Sequence, residues 1–138
     1  MRGIDDAVGN TALGRAVQAV MDDYFDAFSA GDISRINRLV SYPLLHVGRD
    51  GVTFHDRFPI DPAELARCTG WAFSRYQTRV VAVCETKAHV VGSGTRHRAD
   101  GTVIERVDAF YVFMFRDGAW KMTVISDVLA PPGPRDQD

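Results

Sequence analysis

Between Thr11 and Ala30 the apolar residues Leu13, Val17, Val20, Met21, Tyr24 and Phe28 recur mostly three or four positions apart, with Arg15, Gln18, Asp22, Asp23 and Asp26 between them. That spacing predicts an amphipathic helix with one buried stripe. Gly31 is suited to end it in a left-handed conformation, and Asp32 to cap a second helix whose inner side is Ile33, Ile36, Leu39 and Val40. Pro43 stops helical propagation, and "LLHVGRDGVTFH" then reads as a short hairpin turning at Asp50-Gly51. In "IDPAELARCTG", Asp61 as cap, Pro62 in the first turn, Glu64 close behind and Gly70 as a stop predict a third, short helix.

From Tyr76 onward the pattern changes to β-branched and aromatic residues punctuated by Asp100-Gly101 and Asp117-Gly118. Four antiparallel strands are predicted, over 76–86, 88–98, 103–116 and 119–129. The run "AFYVFMF", residues 109–115, does not alternate apolar with polar, so both of its faces need cover. One face belongs against the helices. The other is expected to meet a second copy of the sheet, which predicts a homodimer. The organisation expected is a flexible N-terminus over residues 1–10, one domain over 11–130 and a disordered, Pro-rich tail over 131–138.

Composition removes several classes. A chain of 138 residues, 46% of them hydrophobic, is the size of a single domain with a real core. A formal net charge of -2 provides no basic stripe, which argues against nucleic acid as a partner. No apolar run is long enough to cross a bilayer, so no membrane association is expected. "MRGIDDAVGN" lacks a signal peptide's apolar centre, and a cytoplasmic location is expected. Cys68 and Cys84 are too few for a disulfide framework and read as reduced, buried thiols. The histidines show no metal-ligand spacing, and there is no phosphate loop or nucleophile elbow, so neither metal nor cofactor is expected.

Three helices followed by a curved antiparallel sheet, with "FSAGD" joining the first two helices and "RDGAWKM" leading into the last strand, resemble the NTF2-like superfamily. That superfamily includes ketosteroid isomerases and SnoaL-type cyclases. The resemblance spans residues 11–130 and implies an α+β cone, in which a strongly curved, mostly antiparallel sheet wraps three N-terminal helices. An apolar pocket for a small hydrophobic molecule is implied at one end. Val20, Phe28, Trp71 and Phe113 are the expected ligand-binding side chains.

In the isomerases a tyrosine on the first helix stabilises a dienolate oxyanion, and Tyr24 in "YFDAFSAGD" matches its place. Without the resemblance, Tyr24 is equally a core tyrosine bonded to a backbone carbonyl. The isomerases' base, an aspartate on the first strand, corresponds to Gly48, and their second oxyanion donor, a protonated aspartic acid, corresponds to Tyr111. His46 lies two residues before Gly48 on the same strand face and offers an alternative base, or else it is a partly buried histidine bonded to backbone. The catalytic set implied is His46, Tyr24 and Tyr111, in a cofactor-independent isomerase, cyclase or hydrolase working by proton transfer. A non-catalytic binding or interaction module is the other class.

Two acids and one basic cluster complete the inventory. Alternation puts Asp108 opposite to Tyr111, where pairing with Arg96 or Arg106 is expected, and Asp127 belongs either in a salt bridge or at a rim. Arg96, His97 and Arg98 either bind an anionic group or are solvated at a strand end.

Overall fold

The computed structural model describes residues 6–134. A 3-10 helix at Asp6–Asn10 precedes α1 (Ala12–Ser29), α2 (Ile33–Leu39), β1 (Val40–Gly48), β2 (Gly51–His55), α3 (Pro62–Thr69), β3 (Trp71–Val83), β4 (Lys87–Arg98), β5 (Val103–Arg116) and β6 (Ala119–Ala130). The stretch 1–10 therefore holds helical structure from Asp6 onward, and residues 1–5 and 135–138 of the two expected tails lie outside the described residues.

Each helix boundary has a local cause. The Thr11 side chain accepts from the Gly14 N–H, and α1 ends at Gly31 with φ 68°, where the amides of Gly31 and Asp32 return to the carbonyls of Phe28 and Ala27. Asp32 accepts from the Arg35 N–H to start α2. Asp61 and Pro62 start α3, and Gly70 at φ 79° stops it. Val17, Met21, Tyr24, Ala27 and Phe28 form the buried stripe of α1, whereas Leu13 and Ile33, expected inside, are more than a third exposed.

The six strands form one open, curved sheet in the order β2-β1-β6-β5-β4-β3, antiparallel except where β1 runs parallel to β6. This is the α+β cone, with the helices on the concave side. Asp117 and Gly118, both at positive φ, turn β5 into β6 as the Asp-Gly pair predicts. The first hairpin is shifted by one residue: Gly48 pairs with Gly51, so Arg49 and Asp50 make the turn and Gly51 begins β2. Pro43 lies inside β1, in the stretch between Val40 and Leu45 where pairing to β6 is irregular. β3 begins five residues earlier than predicted, at Trp71.

Strand alternation sorts the sheet's two faces. Val107, Ala109, Tyr111 and, beyond a register shift, Phe113 look inward. Phe110, Val112 and Met114 look outward and are half-buried. Asp108 is on the outer face, paired with Arg106 at 3.2 Å. This outer surface is where the expected dimer would form.

Candidate functional site

The candidate site lies between the C-terminal half of α1 and the inner face of β3 to β6. It is a cavity of about 20 Å³ lined by Tyr24, Tyr76, Tyr111, Arg96 and Asp127 together with Phe25, Phe28, Ile60, Val107, Ala109 and Ile125. This cavity is small, and its lining mixes apolar and aromatic side chains with polar ones. Larger hollows between β3 and β4 are open grooves.

Two tyrosines sit where the sequence put them. Tyr24, one helical turn before Phe28, is 5% exposed, and Tyr111, between Val90 and Ile125 in the sheet, is equally buried. Their rings are 6.4 Å apart. Burial, followed by the neighbouring phenols and the Asp127 carboxylate, pushes both hydroxyls well above the ordinary phenol range. Both therefore remain protonated donors at neutral pH. Around them, Phe25 stacks on Tyr76 at 4.2 Å, and the loop between β2 and α3 lays Phe58 edge-on against Tyr24 and Phe28.

His46 projects from β1 on the face of Ile125, its partner across the parallel pair. Its Nε2 is 3.2 Å from each carboxylate oxygen of Asp127. Side-chain exposure is 28% for His46 and 14% for Asp127, so the imidazole is nearer to solvent while the carboxylate lines the cavity. The group facing the two phenols is Asp127, with His46 beside it. Val47 pairs with Ser126, so Gly48 and Asp127 are the next positions along two adjacent parallel strands. An acid supplied by β6 therefore stands next to Gly48, the position that the resemblance aligns with the isomerases' base. Gly48 matters in its own right, because a Cβ there would come within 2.9 Å of the His46 ring.

Arg96 also lines the cavity and is held by Glu105. Arg96 Nη1 donates to Glu105 Oε2 at 2.6 Å, and the arginine side chain is 10% exposed. Burial opposes its charge, but Tyr76 and Glu105 outweigh it and hold the guanidinium above its ordinary pKa. The cluster expected to be an anion site or solvated is in fact buried at Arg96 and His97. His97 stacks on Phe73, faces the Gly101 carbonyl through Nδ1, and pairs through Nε2 with the Thr95 hydroxyl.

Of the four expected ligand-binding side chains, Phe28 lines the cavity. Val20 and Phe113 pack in the core away from it, and Trp71 packs edge-on against Phe28 while donating to Ser74 Oγ at 2.7 Å. Tyr76, Arg96 and Asp127 are the polar lining groups that the sequence reading left out of the site. Parity offered a signal for each: Tyr76 pairs with Gly94, two residues before Arg96, and Asp127 is two residues after Ile125. Cys68 and Cys84, expected to be buried, are free and exposed. Bonds from Thr86, chiefly its backbone amide, lower the Cys84 thiol pKa. Among the described residues no cluster of His, Cys, Asp and Glu could hold a metal, and no helix is long and apolar enough to cross a membrane.

Comparison with known proteins agrees with this architecture. Residues 15–129 match the family described as NTF2-like protein (DUF6841). No curated protein matches the chain. Among solved structures, it is similar to a ketosteroid isomerase-like protein from Erwinia carotovora atroseptica (18% identity, 89% of this chain and 99% of that one, TM-score 0.64). It is also similar to an NTF2-like protein from Cytophaga hutchinsonii (13%, 86% and 98%, TM-score 0.66) and to a hexachlorocyclohexane dehydrochlorinase, LinA type 2 (13%, 94% and 93%, TM-score 0.58). At these identities the likeness concerns the fold.

Proposed function

Because the chain belongs to the NTF2-like protein (DUF6841) family, whose fold is shared with isomerase-like and dehydrochlorinase proteins, we propose that it is a cofactor-independent enzyme catalysing proton transfer on a small carbonyl compound. The observation that carries this reading is the position of Asp127, in the cavity facing two neutral phenols and bonded to His46. Asp127 is the base that takes a proton from carbon next to a carbonyl. Tyr24 and Tyr111 donate to the oxygen as negative charge develops there, which lowers the barrier because the donors are already in place in a site with little water. His46 holds the carboxylate and, being partly exposed, links it to solvent. The proton can then leave or return without opening the cavity.

Deuterium incorporation in heavy water, followed by proton NMR across a panel of cyclic ketones, 1,3-diketones and conjugated enones, tests this. The native chain is expected to accelerate exchange for at least one compound, and Asp127→Asn to reduce that rate by about 10²- to 10⁴-fold. Exchange at an equal rate in Asp127→Asn would sink the assignment. The cavity volume favours a second reading, a non-catalytic ligand or partner module, since about 20 Å³ admits little more than one water-sized group. Compounds that raise the melting temperature yet never exchange would support that reading instead.

A further inference from the structure

Among the side chains described around the cavity, all but Ile60 are carried by α1 or by β3 to β6. Ile60 comes from the stretch 56–60, which joins β2 to α3 with no helix or strand of its own. Among the described residues, no backbone–backbone hydrogen bond holds that stretch, and Pro59 has no amide proton to give. Its ties to the body are few. The Phe58 ring lies edge-on to Tyr24 and Phe28, with centroids 6.0 and 6.2 Å away, and Ile60 closes the lining. The Phe58 amide points its proton toward the Tyr42 phenol, whose own hydroxyl donates to Asn37 Oδ1 at 2.6 Å. Phe58 and Ile60 are partly buried, while Asp56, Arg57 and Pro59 are exposed.

Size and stability point to the same segment. A volume of about 20 Å³ holds little more than one water-sized group, so an organic molecule that reaches Tyr24, Tyr111 and Asp127 has to displace a wall. Moving a central strand breaks a ladder of backbone hydrogen bonds, and moving α1 uncovers the core that Val17 and Met21 fill. Moving residues 56–60 uncovers two side chains that already touch solvent and releases one amide contact. Segments with so few buried contacts open at the lowest cost, and gating loops are drawn from them.

We propose that residues 56–60 are the movable wall of this site, and that Phe58 and Ile60, swinging outward together, set the largest molecule it admits at about one six-membered ring; this rests on the cavity being the ligand site of the proton-transfer reading given above. The space that the two side chains give up is on the order of the roughly 150 Å³ that holds benzene in an apolar protein cavity. A second fused ring does not fit within it.

Cyclohexanone is the ring-sized probe and 2-decalone, with two fused rings, the oversized one. In full-length protein labelled with 4-fluorophenylalanine, the ¹⁹F resonance of Phe58 is identified by its loss in Phe58→Leu. Cyclohexanone is expected to move that resonance saturably toward its position in the urea-unfolded chain and to give nuclear Overhauser contacts to the Tyr24 and Tyr111 rings; 2-decalone is expected to do neither. Phe58→Ala should bind cyclohexanone about tenfold more tightly, because the burial of an aromatic side chain no longer has to be undone, and should admit 2-decalone, with circular dichroism confirming the fold. The native-protein titration does not depend on either variant folding. Cyclohexanone that touches Tyr24 and Tyr111 while Phe58 stays still, 2-decalone that binds the native protein equally well, or no binding of either ketone overturns the proposal. The two readings also fail separately. Cyclohexanone that displaces Phe58 without accelerated deuterium exchange would sink proton transfer and leave the movable wall standing. Accelerated exchange with an unmoved Phe58 would sink the wall alone.

Discussion

The inner face of the sheet has two ends, and Tyr111 marks the boundary between them. On one side, Phe113, Met122, Val90 and Ala88 join Val17 and Met21 of α1 in a core in which each is at most 1% exposed. On the other side, two residues along the same strands, come Ala109 of β5, Gly92 and Gly94 of β4, and the groups Arg96, Asp127 and Tyr76. The backbone is continuous through both. Side-chain volume makes the difference: large apolar residues close one end, and small residues at the other leave room for phenols, a guanidinium and a carboxylate. The polar groups are placed where packing has been thinned.

The sharpest way to break this contrast is to hollow out the packed end. Phe113→Ala is expected to lower unfolding free energy by about 3 to 5 kcal/mol, read from urea denaturation. The surviving folded fraction should keep its deuterium-exchange activity. A loss below about 1 kcal/mol would mean that this end relaxes as readily as the other, contrary to the tight packing seen there.

The opposite manipulation fills the thinned end. A Cβ at Gly94 would lie 2.3 Å from the Arg75 carbonyl oxygen and 2.5 Å from a Tyr76 ring carbon. Neither the strand backbone nor a ring stacked on Phe25 gives way cheaply. Gly94→Ala should therefore cost about 1 to 3 kcal/mol and displace Tyr76, visible as a lower melting temperature together with a changed aromatic NMR spectrum. Unchanged values of both would show that the small residues of β4 are incidental to the cavity.

The packed end was the more legible of the two in the sequence. Helical spacing on α1 and Asp-Gly turns between strands are local signals, and they gave the helices and the last three strands; the inward direction of Tyr111 was implied by the family resemblance. The polar end depends on pairings between distant segments. His46 meets Asp127 across 81 positions of chain, through a parallel pairing of β1 with β6 that no turn residue announces. Arg96 was visible as a cationic residue near a hairpin, where exposure is the usual outcome. Its burial follows from alternation counted back from Tyr111 across the β4–β5 ladder, in which Val90 pairs with Tyr111 and Arg96 with Glu105. The cysteines misled because free thiols are usually buried, while here one is on a short helix and the other in a turn.

The smallest effect at neutral pH is the one that asks whether the polar end is dry. Tyr24 and Tyr111 are held protonated in the fold by burial, then by neighbouring phenols and Asp127, whereas in the unfolded chain both ionise near pH 10 or so. Below that pH the two states carry the same protons on these groups, so their shifts leave stability independent of pH. Above it the unfolded chain releases protons that the folded chain retains, and stability falls as pH rises. Urea midpoints measured from about pH 9 to about pH 11 should decline, and less steeply in Tyr24→Phe/Tyr111→Phe, with the phenolate absorbance of the native protein appearing late for these two residues. Ordinary titration of both would mean that water reaches them freely. The cavity would then lack the preorganised donors that separate it from the packed end, and Asp127 would be a carboxylate at a wet rim.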